Sequence, residues 1–179
     1  MATFTVIDHT EFGASATSWE ETGISGSYDH LYLVASLRSD RATNYDTLAL
    51  QLNGETGTDY EYTRLYADGS SSNTVKTAGV TGAAYIHCYD ITGATNTADT
   101  FANFTCWIPH YSNTANYKQV YGKTARSTDS TVQYYWNLAL TAGLMSADTA
   151  AITEMKLYPT TGPNFVQYSS VTLYGITGA

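Results

Sequence analysis

Carboxylic acids are the first residues to consider for chemistry, because a glycosidase requires two of them facing each other across the substrate. The seven acids of residues 20–59 all lie in or beside stretches with the composition of loops, where side chains are usually solvated. We therefore interpret them as surface charges rather than as a catalytic pair. These acids are Glu20, Glu21, Asp29, Asp40, Asp46, Glu55 and Asp59.

Two short motifs resemble parts of catalytic or phosphate-binding loops. Residues 23–26, Gly-Ile-Ser-Gly, lack the G-x-S-x-G spacing of a nucleophile elbow. Residues 122–124, Gly-Lys-Thr, resemble the end of a phosphate-binding loop, but Tyr117 stands where that loop needs its first glycine. We therefore expect a protein without enzymatic activity.

The histidines and cysteines do not have the spacing of metal ligands. His9, His30, His87 and His110 are far apart in the sequence. His87 and Cys88 are adjacent and so point to opposite faces of a strand, which argues against a shared metal. The sequence predicts no metal and no cofactor, and it favours two buried free thiols at Cys88 and Cys106 over a disulfide.

A short connection carries an unusual density of charge for this chain. It contains Arg38, Asp40, Arg41 and Asp46, together with Asn44. The oxygens of Asp40, Asn44 and Asp46 could surround a calcium ion, but the full loop pattern and its distal Glu are missing. We interpret the four charged residues as an ion-pair network that fixes the connection or contacts another subunit.

Sixteen tyrosines form a second group with chemical potential. Sugar rings stack on aromatic faces, and tyrosine is also enriched at protein interfaces because its large rigid ring carries a polar tip. We favour a protein interface over a sugar platform. The candidates for exposed stripes are Tyr60, Tyr62 and Tyr66, and on another strand Tyr85, His87 and Tyr89.

The elements that position these residues are strands. Residues 28–53 contain two runs in which leucines alternate with other side chains, and strict alternation is typical of half-buried strands. The first run places Leu31, Leu33 and Leu37 on one face, and the second does the same with Leu48, Leu50 and Leu52. We predict that the two runs are adjacent antiparallel strands with one face toward a core.

The rest of the chain continues this pattern. Residues 132–140 give the longest alternation, residues 67–82 have the composition of a loop, and residues 146–151 could form one helical turn. No segment shows a helical apolar period over ten or more residues. The sequence therefore predicts an all-β protein with little or no helix, a two-sheet antiparallel β-sandwich of the jelly-roll type. We expect one domain over residues 1–179, with residues 1–18 as an N-terminal arm or an edge strand.

Composition excludes two classes of partner. The net charge is −8 and the charged fraction is only 13%. A surface of that sign repels phosphate backbones and anionic lipids, so we expect neither nucleic-acid nor membrane binding. The first residues, MATFTVIDH, have no basic or apolar region typical of a signal peptide, and we expect synthesis in a cytoplasm.

Several segments together resemble small virion proteins of tailed bacteriophages. The resemblance extends over residues 19–176, and the segments that carry it contain structural rather than catalytic residues. The segments are GISGSYDHLYLVASLRSDRA at residues 23–42, a D-x-L-x-L-x-x-N-G strand and turn at 46–54, NFTCWIPHYSNT at 103–114, K-x-V-Y-G-K at 118–123 and SSVTLYGI at 169–176.

This resemblance implies a β-sandwich protein that serves as a capsid decoration (cement) subunit or as a fibre tip, often trimeric. We expect the first: a homotrimer on the outer surface of the virion, made in the host cytoplasm, that binds the major capsid protein and stabilises the assembled shell by mass action. The alternative is a receptor-binding, carbohydrate-binding module of a head or tail fibre. The predicted contact residues are Phe4, Val6 and Phe12 of the arm, Arg38, Asp40, Arg41 and Asp46 of the connection, and Tyr60, Tyr62 and Tyr66.

Overall fold

The computed structural model describes residues 1–67, 76–127 and 137–178, and the regular structure in these ranges is β-strand without helix. None of the described residues belongs to a helix able to cross a membrane. The strands are β1 (Thr3–Glu11), β2 (Trp19–Thr22), β3 (His30–Leu37), β4 (Tyr45–Leu52), β5 (Tyr60–Ala67), β6 (Lys76–Ala83), β7 (Ile86–Thr92), β8 (Ala102–Pro109), β9 (Lys118–Arg126), β10 (Asn137–Met145), β11 (Glu154–Pro159) and β12 (Ser170–Thr177).

Eight of these strands pair as a nested set, with the ends of the chain outermost. β1 pairs with β12, β2 with β11, β3 with β8 and β4 with β7, all antiparallel. The pairs alternate between two sheets, since β1-β12-β3-β8 lie in one and β2-β11-β4-β7 in the other. This arrangement is the jelly roll that the sequence predicts. We call these eight strands the body.

The remaining four strands widen one sheet. The pair β9 and β10 follows β8 and continues the sheet from it, and the pair β5 and β6 joins the far side of β10. The wide sheet therefore has eight strands in the order β1-β12-β3-β8-β9-β10-β5-β6 and faces a narrow sheet of four. We call β5, β6, β9 and β10 the extension.

The core lies between the two sheets and is built from the alternating leucines. Leu31, Leu33 and Leu37 on β3 and the leucines of β4 are all buried in one apolar cluster. The predicted faces of β3 and β4 are thus confirmed, but their predicted adjacency is wrong. β3 pairs with β12 and β8 in the wide sheet, whereas β4 pairs with β11 and β7 in the narrow sheet. The connection between them passes from one sheet to the other, so the leucines meet across the sandwich.

The N-terminal residues form an edge strand rather than a free arm. β1 pairs with β12 from Thr3 to Glu11. Phe12 is buried beyond its end and stacks on Phe165 with a ring-centroid distance of 5.8 Å. Phe4 and Val6 remain 55% exposed on the outer side of the strand.

Two local predictions need correction. Residues 146–151 are not helical, and the predicted loop 67–82 contains most of β6, with residues 68–75 outside the described ranges. The first part of the alternating run 132–140 also lies outside them. Its described leucines point away from the core, because Leu138 is 58% exposed while Asn137 and Ala139 are buried.

Candidate functional site

Arg38, one of the predicted contact residues, is buried and binds its own subunit. Its guanidinium donates hydrogen bonds to the carbonyl oxygens of Thr97 at 2.6 Å and Thr100 at 3.0 Å. It also donates to those of Ala94 and Asn96, each at 3.1 Å. Burial lowers the pKa of the guanidinium, although the nearby Asp99 opposes the shift. Arg38 therefore organises the loop between β7 and β8 and offers no surface to a partner.

The other charged residues of the connection also act within the subunit. Asp40 accepts hydrogen bonds from the backbone N–H and side-chain amide of Asn164, at 3.0 and 2.7 Å. Asp46 is fully buried, accepts a bond from the Gly162 N–H at 2.7 Å and lies 3.9 Å from Arg41. The predicted network thus fixes the connection, but hydrogen bonds to neutral groups outnumber ion pairs. Within the described ranges, no group of three or more His, Cys, Asp or Glu is placed to hold a metal.

The predicted tyrosine stripes do not form. Tyr60 is fully buried, and its hydroxyl donates to the Leu52 carbonyl at 3.1 Å and accepts from the Leu52 N–H at 2.9 Å. Burial raises its pKa to about 12. Tyr62 and Tyr66 point toward β7, where their rings lie 5.9 Å from His87 and 4.7 Å from the buried Tyr89. Tyr60 and Tyr89 are therefore structural, and Tyr62 and Tyr66 are only partly accessible.

A different set of aromatic residues forms a row across the outer face of the wide sheet. Tyr174 of β12 is paired with Tyr32 of β3, Tyr32 with Trp107 of β8, and Trp107 with Tyr121 of β9. The Tyr32 ring lies 6.5 Å from Tyr174 and 6.0 Å from Trp107. Phe4 of β1 continues the row, 6.1 Å from Tyr174. The row crosses the strands at right angles, with one aromatic side chain for each strand step of about 4.8 Å.

Beyond Tyr121 the same row changes from large to small side chains. Tyr121 is paired with Ala142, Ala142 with Thr63, and Thr63 with Gly79. This change from large to small side chains leaves a groove of about 530 Å³ whose lining includes Trp107 and Tyr121. Its volume is typical of small-ligand sites. We call it the main groove.

Polar groups are few around the main groove. Glu61 and Gln119 line it, and Glu61 is its only carboxylate among the described residues. Lys123 stands beside it with its ammonium 5.7 Å from the centre of the Tyr121 ring. The site therefore combines the exposed ring of Tyr121 and the partly exposed ring of Trp107 with a carboxamide and one charge of each sign. Such a surface suits a ligand that is flat and apolar on one side and rich in hydroxyls at its rim.

Sequence reasoning did not identify Trp107, Tyr121 or Tyr174, although a signal was present. Each faces away from the core, on a strand whose alternate residues are buried. On β8 and β12 those buried residues are mostly apolar, which is the signal, whereas on β9 they include Lys118, Thr124 and Arg126. Tyr32 occupies the corresponding position on β3. Only the strand order and register bring the four together.

No protein-family model and no curated protein matches the chain. Among solved structures, the galectin LEC-6 of Caenorhabditis elegans is 10% identical and has a TM-score of 0.34, covering 93% of this chain and 95% of its own. CG-16, a homodimeric agglutinin from chicken liver, is 8% identical with a TM-score of 0.32, covering 86% and 98%. A lectin from Bauhinia forficata in complex with GalNAc is 6% identical with a TM-score of 0.21, covering 97% and 99%. Likenesses this low do not place the chain in a family, and no function follows from them.

Proposed function

We propose that this protein is a non-catalytic carbohydrate-binding module that holds a neutral saccharide on the outer face of its wide sheet. The observation that carries the proposal is the continuous row of Tyr174, Tyr32, Trp107 and Tyr121, which leads into the main groove. One strand spacing, about 4.8 Å, is close to the advance of one pyranose unit in an extended chain. Successive sugar rings can therefore meet successive aromatic side chains.

Charge supports a neutral ligand. The whole protein carries a net charge of −8, which disfavours anionic polymers. Glu61 lines the groove and Lys123 lies over the Tyr121 ring beside it, so the two charges around the site are of opposite sign. Binding without cleavage is the simpler function, because glycosidases of the usual type need two carboxylates and the described lining of the groove contains one.

Replacing Trp107 with Ala tests the proposal. Wild-type protein is first screened on an array of neutral and anionic oligosaccharides, and the best ligand is then titrated by calorimetry. We expect Trp107→Ala to weaken binding about tenfold, or about 1.4 kcal/mol. Tyr168→Ala is the matched control, since Tyr168 is 64% exposed in the loop before β12 and lies off the row. An array without any binding, or equal losses in both variants, would rule the proposal out.

Capsid decoration remains a second candidate, and the edge strand β1 favours it. Phe4 and Val6 are exposed on this edge, where a neighbouring subunit or a shell protein can contact them. Removal of residues 2–12 would also remove the pairing of β1 with β12, so Phe4→Ser together with Val6→Ser is the better test. If the protein is a trimeric cement subunit, this double variant should lose attachment to purified capsids. Unchanged attachment would exclude β1 from such a contact.

A further inference from the structure

A second depression meets the main groove and leaves it in another direction. The two share Pro109, Gln119 and Leu144. The second depression, of about 690 Å³, reaches along β8 and β9 to the loop that joins them, whereas the main groove crosses the strands. We call it the side arm. The two axes are therefore roughly perpendicular, and a chain that continues along the main groove and also fills the side arm must branch near Gln119.

Lys118 fixes the two loops that form the wall of the side arm farthest from the main groove. The side chain of Lys118 is buried, and its ammonium donates to the carbonyl oxygens of Asn113 and Asn116, both at 2.7 Å, and of Thr149 at 2.8 Å. Asn116 and Thr149 belong to two different loops, and both line the side arm. One cation thus ties the two loops together, so the shape of the side arm exists before a ligand arrives.

The lining of the side arm suits an uncharged, hydroxyl-rich group. It offers the side chains of His110, Asn116, Gln119 and Thr149 and the ring of Tyr117, and none of its described residues is Asp, Glu, Lys or Arg. Carboxamides both donate and accept hydrogen bonds, as sugar hydroxyls do. A carboxylate or sulfate would find neither lysine nor arginine among these described residues, and His110 is the one of them whose side chain can carry a positive charge.

We infer that the side arm binds a neutral sugar branch of a chain whose backbone lies on the aromatic row. This inference rests on the proposed function and specifies its ligand as a branched, neutral saccharide. The aromatic row supplies the backbone contacts, and the side arm decides between branched and linear chains.

Matched pairs of oligosaccharides test the inference. The probes are linear neutral tetrasaccharides and the same backbones with one sugar branch, including mannotetraose with its galactosyl derivative and cellotetraose with its xylosyl derivative. Calorimetry compares the wild type with Ala115→Trp, which fills the side arm from its exposed loop, and with Tyr117→Ala, which removes part of its wall. Tyr168→Ala again serves as the control.

We expect the wild type to bind a branched ligand at least fivefold more tightly than its linear partner. Ala115→Trp should abolish this preference and leave the affinity for the linear chain unchanged, and Tyr117→Ala should reduce the preference. Equal affinities within every pair, with Ala115→Trp silent, would overturn the inference and leave the main groove as a site for linear chains. Failure of all linear and branched probes to bind would overturn the proposed function as well.

Discussion

The body and the extension bury different chemistry on the inner face of the same wide sheet. On the body strands β3 and β8 this face carries aliphatic and aromatic residues such as Leu31, Leu33 and Phe104. On the extension strands β9 and β10 it carries buried polar residues. These are Lys118, Thr124, Arg126, Asn137 and Thr141.

This difference follows from what each region faces. The body strands lie against the narrow sheet and share its apolar cluster. The extension reaches past the edge strand of the narrow sheet, β7, where the ring of His87 and the carboxylate of Asp90 meet Arg64 and Asn137. Hydrophobic burial is non-directional, whereas hydrogen bonds fix the positions of their partners. The extension is therefore held by these directed contacts in addition to the apolar contacts of Val120 and Met145, and it carries most of the main groove.

The largest expected effect comes from shortening one leucine on the buried face of the body and one on the exposed face of the extension. Leu33→Ala opens a cavity in the body core and should lower the free energy of unfolding by about 3 kcal/mol. Leu138→Ala removes an exposed leucine from the outer face of the extension and should change it by less than about 0.5 kcal/mol. Chemical denaturation measures both. Similar losses in the two variants would contradict this division between core and surface.

A smaller effect is expected from the buried cation of the extension. Lys118→Met leaves three carbonyl oxygens without their ammonium donor and should cost about 2 kcal/mol, since unsatisfied buried polar groups are costly. Lys123→Met is the matched control, because Lys123 lies on the exposed face of the same strand. If the two variants unfold at the same denaturant concentration, Lys118 does not stabilise the loops around it.

The boundary between body and extension should respond to pH through two groups with opposite effects. Burial raises the pKa of Asp90 to about 6, although Arg126, Arg64, Arg41 and a bond from Asn137 oppose the shift. The folded protein thus holds the proton of Asp90 more tightly than the unfolded protein does. The contribution of Asp90 to the free energy of unfolding therefore falls as pH rises from about 4 to about 6. Burial, aided by Arg64, lowers the pKa of His87 to about 3. The contribution of His87 to the free energy of unfolding therefore rises as pH increases from about 3 to about 6.5.

Single variants should separate these effects, each of which is limited to about 1.4 kcal/mol per pH unit. With Asp90→Asn, the free energy of unfolding should rise with pH between 4 and 6 more steeply than in the wild type. With His87→Gln the free energy of unfolding should fall over the same interval. The double variant should lose the contributions of both Asp90 and His87. Denaturation at a series of pH values measures the slopes. Parallel curves for the two single variants would show that these groups do not titrate as their burial implies.

Much of the fold is determined by local sequence pattern. Alternation predicts the buried faces of β3 and β4 because successive side chains of a strand leave on opposite sides whatever the strand pairs with. The absence of a helical period and the turn composition predict an all-β sandwich, and the number and spacing of the short strands predict a jelly roll. The described structure agrees with these predictions.

The local pattern does not predict which strands pair with each other. β3 and β4 follow each other in the chain, yet they lie in opposite sheets, because the connection that holds Arg38 and Asp46 crosses the sandwich. Nothing in their alternation distinguishes a hairpin from a crossover. The same ambiguity affects the described end of the run 132–140, whose leucines were conspicuous in the sequence and point outward.

The candidate site shows the same limit most clearly. The sequence alone determined that Tyr32, Trp107 and Tyr174 lie on strands opposite mostly apolar residues, since that depends on a period of two along each strand. Only the tertiary structure decided that these strands are neighbours and that their registers align the rings in one row. Register depends on contacts between residues as far apart in the chain as Tyr32 and Tyr174. Such contacts leave no periodic trace in the sequence, which is why the tyrosines chosen from the sequence were largely the structural ones.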